Sequence, residues 1–417
     1  MKSGLEVYLL PSVFGGGSGD LEEVYAAARR LGREGWPLLL YRAGGAPLPS
    51  GVRPERAELP LQRVAQLRPK AARALTVGSD LGVSAAPERP GRLGRAGPWA
   101  AEAAAIERTY GPDRVVHVSL GEFARTLTSS RQVTERYREG GRPVRWIRPH
   151  LRTRAGRLEE AQTHRWYARF RAFDHPRMLH LFPTFGDPRA FRSEFPAAVP
   201  TGPLWDEPFA VRGPIRQREW LWYASPSSSR ELLGPMARFG GSLSQPLEVF
   251  ARGPIDWAKL SLGRLHLRTL PYLNRRSWRA RFAAAGIRMV TGSRTLIEAV
   301  QLGGPFLYFN GVLGSGAQRR RHRPEKLDAL LRAWGHRVPA SLRRDLGNFA
   351  RARGVERILQ RASEDRGWSA QFPAAPPGSL LPGPYDDAGL LLGQIAGRLA
   401  HGESASELVE RVRIRQR

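Results

Sequence analysis

Residues 287–309 read Ile287-Arg-Met-Val-Thr-Gly-Ser-Arg-Thr-Leu-Ile-Glu-Ala-Val-Gln-Leu-Gly-Gly-Pro-Phe-Leu-Tyr-Phe309, and this stretch decides the fold class. Its first residues, up to Val290, are mostly apolar and predict a buried strand. A turn of Gly, Ser and Thr follows, and helical spacing then runs from Thr295 to Leu302. A second strand is predicted over Pro305 to Phe309. The stretch is therefore predicted to be a β-α-β unit, the building block of a parallel sheet.

The turn in this stretch is a candidate anion site. Amides at a helix N-terminus carry partial positive charge, so the turn would form a natural cradle for a diphosphate. Glu298, one turn into the helix, would then reach a sugar hydroxyl of the same ligand. A capped helix in any α/β protein shows the same pattern, so both interpretations stand on the turn alone. The candidate phosphate-binding residues are Thr291, Gly292, Ser293, Arg294 and Thr295.

The first half of the chain shows the same alternation. Leu5 to Leu10 predicts a strand, Phe14 to Asp20 a glycine-rich turn, and Leu21 to Leu31 a helix. Further strands are predicted over Trp36 to Tyr41, Ala74 to Val77, Val115 to Leu120 and Arg177 to Phe182. Strands that alternate with helices favour a mostly parallel sheet.

A proline-rich segment separates the two halves. Phe195 to Phe209 contains four prolines and no helical periodicity, which is typical of an extended, fairly stiff linker. The second half then begins with a strand over Glu219 to Ala224, a polar turn over Ser225 to Ser229 and a helix over Arg230 to Phe239. Strands are also predicted at 247–251 and 265–270, helices at 327–334, 340–350, 355–362 and 388–413, and a Pro/Gly loop at 365–384. The predicted domains are residues 1–205, 206–385 and a helical segment at 386–417.

Composition limits the function classes. A chain of 417 residues fits two domains of about 200 residues each. It has no cysteine, which excludes disulfides, thiolate catalysis and cysteine-ligated metal. Without a long apolar run or a basic, apolar amino end, a cytoplasmic protein is expected, with a peripheral membrane location left open. No metal-ligand spacing is found among the histidines, and no cofactor is expected.

The net charge of +28 has two interpretations. It points to an anionic partner such as nucleic acid, anionic lipid or a phosphorylated substrate. However, only Lys2, Lys70, Lys259 and Lys326 are lysines, and the arginines are spread along the chain. An excess of Arg over Lys with abundant Gly, Ala and Pro is also what a GC-rich genome produces, so both interpretations stay open.

The run from Thr291 to Pro305 resembles the donor-site signature of GT-B glycosyltransferases, especially the peptidoglycan-precursor N-acetylglucosaminyltransferase group. The resemblance implies two Rossmann-like α/β domains facing across a cleft, with C-terminal helices packing back on the first domain. In that family the turn holds the nucleotide diphosphate, and a glutamate five residues before the Gly-x-Pro binds the ribose. Glu298 stands five residues before Gly303, and Thr201 to Leu204 resembles the segment that joins the two domains.

The glycine-rich turn near the amino end is also similar to these transferases, several of which carry a histidine base there. This chain has Asp20 at that place, and an aspartate with a pKa near 3.9 is a weaker proton acceptor than histidine. Asp20 is predicted either to be the catalytic base or to cap the following helix. The resemblance implies an acceptor-binding role for Gly16, Gly17, Ser18 and Gly19.

The resemblance extends the donor site to other loops. The Ser225 to Ser229 turn would face the donor phosphates, and Ser225, Ser227 and Ser228 are its candidates. Tyr272, after Leu270-Pro271, stands where family members contact the nucleobase. Asn310 and Gln318 are candidates for the donor sugar. The basic run 318–323 would clamp a diphosphate or anionic acceptor, or is a solvated helix face.

The implied function is transfer of a hexose from a nucleotide-diphosphate sugar, such as a UDP-sugar, to an unidentified acceptor, for which the net charge leaves a negatively charged molecule open. The resemblance further implies a metal-independent and inverting reaction. One alternative is a non-hydrolysing nucleotide-sugar epimerase, which shares the fold. Another is a non-catalytic protein of the same fold that binds nucleic acid or an anionic membrane through its arginines.

Overall fold

A computed structural model defines the fold. It describes residues 4–10, 19–40, 56–57, 72–78, 105–120, 177–183, 198–202, 204, 214–224, 226–252, 262–271, 273–309, 325–373 and 388–415. The chain divides into two units. The first unit comprises Met1–Asp206 and Pro384–Arg417, and the second unit comprises Glu207–Gly383.

The first unit contains a parallel sheet of seven strands: β1 (Leu5–Leu10), β2 (Leu38–Leu40), β3 (Arg56–Ala57), β4 (Arg73–Gly78), β5 (Val115–Leu120), β6 (Met178–Pro183) and β7 (Ala198–Thr201). Their order across the sheet is β3-β2-β1-β4-β5-β6-β7. Helix α1 (Gly19–Arg33) follows β1, and buried residues such as Val24, Ala27 and Leu31 place it on the sheet core.

The second unit contains a parallel sheet of five strands: β8 (Arg216–Tyr223), β9 (Leu247–Arg252), β10 (Leu265–Thr269), β11 (Ala285–Val290) and β12 (Phe306–Tyr308). Their order across the sheet is β10-β9-β8-β11-β12. Its helices are α2 (Pro226–Ser242), α3 (Arg275–Ala284), α4 (Gly292–Leu302), α5 (Glu325–Trp334), α6 (Ala340–Phe349), α7 (Val355–Glu364) and α8 (Arg366–Ala370). Strand β11 is buried along its whole length, as expected for the interior of a parallel sheet.

The last two helices return to the first unit. They are α9 (Ala388–Ala400) and α10 (Ala405–Arg415). Ile395 and Leu399 of α9 and Leu408 of α10 are fully buried in one core with Leu5 and Val7 of β1. The fold class is confirmed: two parallel α/β sheets, with the C-terminal helices packed on the first unit.

Several predicted segments differ from the structure. The predicted linker contains β7, which pairs in parallel with β6, and its position at the sheet edge accommodates Pro200, which has no amide hydrogen. The predicted loop at 365–384 contains α8, because the Asp365 side chain caps that helix and Trp368 is fully buried. Strand β2 is shorter than the predicted 36–41.

A buried polar chain lies between β4, β5 and the helical residues 105–110. Thr76 Oγ1 and His117 Nδ1 are 2.7 Å apart, and His117 Nε2 lies 3.3 Å from Glu107 Oε1. Arg177 Nε donates to the same oxygen at 2.9 Å. Burial alone would raise the pKa of Glu107, but hydrogen bonds from His117 and Arg177 lower it from 4.5 to about 2. The folded state therefore favours the ionised carboxylate.

We expect Glu107→Gln to lower the free energy of unfolding by roughly 1–3 kcal/mol at neutral pH. Because the folded pKa lies below the unfolded one, this stabilisation is complete above pH 4.5 and is lost as the pH falls through 2. Guanidinium denaturation of wild type and Glu107→Gln should therefore give free energies of unfolding whose difference shrinks below about pH 4. A difference that stays constant down to about pH 3 would contradict the lowered pKa of Glu107.

Candidate functional site

The strand order of the second sheet reverses between β8 and β11. From β8 the chain moves outward through β9 to β10, and it returns to pair β11 on the other side of β8. In parallel α/β sheets, ligands bind outside the carboxyl ends of the strands at such a switch point. Ala224 follows β8 and Thr291 follows β11, so both predicted donor segments begin at this edge.

In the turn after β11, the side chain at the N-cap position does not bond to the first amides of α4. Thr291 occupies the N-cap position in an extended conformation, but its Oγ1 donates to the Phe309 carbonyl at 2.6 Å and makes no cap bond to α4. The Thr295 hydroxyl donates to the Thr291 carbonyl. Both hydroxyls are therefore engaged in holding the turn, and the amides at the start of α4 are the groups suited to an anion.

Gly292 gives this turn its shape. Its φ of +80° lies in the left-handed region that favours glycine. A Cβ built on it would meet nothing within 4 Å in the described part of the chain. Among the described residues, none fills the place that a side chain at this position would take.

Glu298 lies deeper in α4 than the Thr291–Thr295 turn, with only 2% of its surface exposed. Trp278 Nε1 donates to its Oε2 at 3.2 Å. Its Oε1 lies 3.4 Å from Arg275 Nη2 and 3.6 Å from Arg294 Nε. The carboxylate thus joins two arginines and a tryptophan from α3 and α4 in one buried cluster, and its predicted contact with a ribose stays a prediction.

A buried arginine secures the far end of α4. Arg288 donates to the carbonyls of Phe282 at 2.8 Å, Gly303 at 2.7 Å and Pro305 at 3.5 Å. Burial lowers the pKa of its guanidinium to about 10, so it remains charged at neutral pH. These bonds tie the end of α3 to the Gly303–Pro305 turn and fix α4 between β11 and β12.

The predicted polar turn after β8 is a helix start. Helix α2 begins at Pro226, whose fixed φ and missing amide hydrogen suit the first helical position. Ser227 and Ser228 lie in its first turn, so a helix N-terminus stands where the loop was predicted. Ser225 and the side chains of Ser227 and Ser228 lie outside the described residues.

The first sheet has a switch point of the same kind, between β1 and β4. The glycine-rich segment follows β1 at this edge. Helix α1 begins at Gly19, so Asp20 is its second residue and lies within the first turn, not at the predicted capping position. The side chain of Asp20 and residues Gly16, Gly17 and Ser18 lie outside the described residues.

The remaining predicted site residues are outside the described part of the chain. They are Tyr272, the side chain of Ser293, Asn310, Gln318 and the basic run 318–323. Within the described ranges, no group of three or more Asp, Glu or His side chains is placed to hold a metal ion. No helix there is long and apolar enough to span a bilayer.

Sequence reasoning missed α3 and its contribution to the site. Asn274 accepts from the Ser277 amide and caps this helix, and Trp278 and Phe282 are buried one turn apart. The Asn cap followed by aromatic residues at helical spacing was the available signal. Nothing local indicated that Arg275 and Trp278 would meet Glu298.

No protein-family model and no curated protein matches the sequence. Solved structures similar to the chain include MurG of Acinetobacter baumannii, at 11% identity over 98% of this chain and 99% of that one, with a TM-score of 0.39. CalG4, the calicheamicin glycosyltransferase, aligns at 11% identity over 96% and 97%, with a TM-score of 0.43. UGT2 of Phytolacca americana, complexed with UDP-2fluoro-glucose and pterostilbene, aligns at 13% identity over 99% and 100%, with a TM-score of 0.45.

Proposed function

We propose that this chain is a glycosyltransferase that moves a sugar from a nucleotide-diphosphate sugar to an acceptor hydroxyl. One observation carries the proposal: at the switch point of the second sheet, α2 begins after β8 and α4 begins after β11, and these two strands are paired neighbours. Two helix N-termini at one switch point favour a ligand with two adjacent negative charges, as in a diphosphate. No described residue lies within 4 Å of a Cβ at Gly292, so none of them blocks a ligand beside this glycine.

The proposal gives each of the two units its own role. The second unit binds the donor, and the helix-terminal amides stabilise the negative charge that develops on the nucleoside diphosphate as it departs. The first unit binds the acceptor near the glycine-rich segment, where Asp20 removes the proton of the attacking hydroxyl. The bond from the anomeric carbon to the phosphate oxygen breaks as the bond to the acceptor oxygen forms, which inverts that carbon without a metal.

The net charge of +28 supports an anionic acceptor in this proposal. An arginine-rich surface raises the local concentration of an anionic molecule and speeds its encounter with the site. The effect weakens with salt because exposed charges are screened within about 8 Å at physiological ionic strength. A transferase of this kind should therefore lose acceptor affinity, but little donor affinity, as salt is raised.

A nucleotide panel tests the donor site. Thermal unfolding is measured with UDP, dTDP, GDP and ADP, and with the matching nucleosides and monophosphates as controls. A ligand at 100 times its Kd stabilises the folded state by about 2.7 kcal/mol, so a true donor nucleotide should give a clear shift. We expect at least one nucleoside diphosphate to raise the melting temperature more than its nucleoside and its monophosphate do.

Turnover then separates the proposal from its alternatives. Release of nucleoside diphosphate that depends on an acceptor fits a transferase, whereas interconversion of the sugar nucleotide without acceptor fits an epimerase. Salt-sensitive binding of polyanions with no nucleotide shift would contradict the proposal and favour a binding protein.

A further inference from the structure

We propose that the groove between α5 and α6 binds a small soluble ligand that carries a phosphate group, at a site separate from the donor site. Three arginines line this groove: Arg332 of α5, and Arg343 and Arg344 of α6. This second site does not depend on the proposed function, because the described residues that line it belong to α5 and α6.

The three arginines form no salt bridge with any described residue. Arg332 and Arg344 are exposed, whereas Arg343 is half-buried. The Nε atom of Arg343 is buried and has no hydrogen-bond partner in the described part of the chain. Placing a guanidinium nitrogen out of water without an acceptor costs free energy. A ligand oxygen in the groove would supply the missing acceptor.

The acidic side chains nearby are already paired with other arginines. Asp328 also lines the groove, but its Oδ2 lies 2.6 Å from Nη2 of Arg351. Asp345 follows the two arginines of α6 in the sequence, and its Oδ2 lies 2.9 Å from Nη1 of Arg361. Neither carboxylate is therefore left to neutralise the three arginines of the groove.

The start of α6 adds to the positive potential of the groove. Helix α6 begins at Ala340, which lines the groove, and no side chain caps this end. Amides in a first turn carry partial positive charge, and α6 has no acidic residue there to offset it. Arg343 and Arg344 stand at the end of this turn, where a positive charge is unfavourable. An anion in the groove would relieve this repulsion, and a neutral ligand would not.

A second groove, between α7 and α8, shows that arginines in a groove need not be left unpaired. Its charged lining residues are Arg357, Arg361, Glu364, Asp365 and Arg366. Arg361 has its own salt bridge outside this groove, and the other two arginines share the lining with two carboxylates. The positive charge there is balanced, so the excess between α5 and α6 is a local feature.

The size of the groove and its charge indicate the class of ligand. Its volume of about 390 Å³ lies in the range of small-molecule sites, which is roughly 300–1,000 Å³. A phosphate monoester carries a charge of about −1.5 to −2 at neutral pH and three acceptor oxygens. Guanidinium groups match phosphate oxygens in charge and geometry. A phosphate group therefore offers one acceptor oxygen for each of the three arginines.

The groove lies away from the edge of the sheet where the donor is proposed to bind. Trp334, the last residue of α5, packs on Phe306, the first residue of β12, with ring centroids 5.9 Å apart. Phe349, the last residue of α6, packs on Phe309, which follows β12, at 6.2 Å. The end of α5 and the start of α6 form the groove, so it lies toward the amino edge of the sheet. The proposed donor site is at the carboxyl edge.

Calorimetry of the full chain with inorganic pyrophosphate, glucose 6-phosphate and glucose tests the site. We expect both phosphate probes to bind to wild type and glucose not to bind. Arg343→Gln should weaken the phosphate probes by about 10-fold, because a half-buried charge-assisted bond is lost. The exposed arginines are screened by water, so Arg332→Gln and Arg344→Gln should each weaken them by about 2- to 5-fold.

A matched triple variant separates the groove from net charge. The groove triple changes Arg332, Arg343 and Arg344 to Gln and should abolish the difference between glucose 6-phosphate and glucose. The control triple removes the same charge from exposed positions of the neighbouring segments, namely Arg353, Arg357 and Arg366. It should weaken the phosphate probes by less than about 2-fold. Circular dichroism melting identifies variants that fail to fold, and Arg343→Lys, which keeps the charge and loses the fork, then replaces Arg343→Gln.

Modification by phenylglyoxal, which reacts with accessible arginines, shows where the probe binds. Mass spectrometry should show that pyrophosphate protects Arg332 and Arg344 and leaves Arg353 reactive. Equal weakening by both triples, or no protection in the groove, would overturn the proposal. Binding of RNA or of phosphatidic acid vesicles through these arginines, without binding of the soluble probes, would also overturn it.

Nucleotide binding separates this site from the donor site. The groove triple should bind the nucleotide selected by the panel as tightly as wild type does. Loss of nucleotide affinity in the folded groove triple would place these arginines in the donor site and overturn a separate site. If wild type binds no nucleotide but pyrophosphate still protects the groove, the proposed function fails and the phosphate site stands.

Discussion

Replacing Asp20 with Asn is expected to lower sugar-transfer turnover about 10²- to 10⁴-fold while nucleotide affinity stays the same. Asparagine has nearly the shape of aspartate, but its amide cannot accept the proton of the acceptor hydroxyl. Asp20 lies in the first turn of α1, directly after the glycine-rich segment at the switch point of the first sheet. The proposed donor site belongs to the other sheet, so loss of the base should leave nucleotide binding intact.

The control for Asp20 is Glu22→Gln, which removes the same charge from the same helix turn. A carboxylate near a helix N-terminus stabilises the helix by about 0.3–1 kcal/mol, and both variants lose that contribution. Only Asp20→Asn should lose turnover, as measured by release of nucleoside diphosphate in the presence of acceptor. Full activity of Asp20→Asn would leave the base unidentified, and an equal loss in Glu22→Gln would assign the effect to the helix start.

The strands and helices with the strongest local patterns were predictable from the sequence. Interior strands of a parallel sheet are buried on both faces, so β1 and β5 were predicted with their observed bounds, Leu5–Leu10 and Val115–Leu120. The C-terminal helices have long apolar faces, and the GT-B resemblance implied where they pack. Local composition misled where tertiary position decides: Pro200 is typical of a linker, but an edge strand also tolerates it.

The candidate site was only partly predictable. The Thr291–Thr295 turn is a local signal, because strand, turn and helix follow one another in the sequence. That this turn and the start of α2 share one switch point depends on the pairing of β8 with β11, whose partner residues are 67 to 69 positions apart. The same holds for Arg275 and Glu298, which meet only because α3 and α4 start at one edge of the sheet. Contacts between residues that are far apart in the chain leave no periodic pattern in a single sequence.

Substituting Ala for Gly240 is expected to destabilise the second unit by about 3 kcal/mol or more, because the added Cβ would clash with the backbone of a neighbouring segment. A Cβ on Gly240 of α2 would clash with the Leu262 carbonyl oxygen and lie 2.9 Å from Leu265 Cβ. The Arg264 amide also donates to the Gly240 carbonyl at 3.0 Å, so the helix and the segment before β10 are joined at this point. Relief of the clash requires a shift of helix or strand, and cores resist such shifts.

Gly241→Ala is the matched control, because a Cβ there meets nothing within 4 Å in the described residues. Alanine is favoured over glycine in a helix, so this variant should be neutral or more stable by up to about 1 kcal/mol. Thermal unfolding should therefore show opposite signs for the two neighbours, with a fall of roughly 6–12 °C for Gly240→Ala. Equal melting temperatures for the two variants would show that the contact between α2 and the segment leading into β10 does not constrain the fold as its distances indicate.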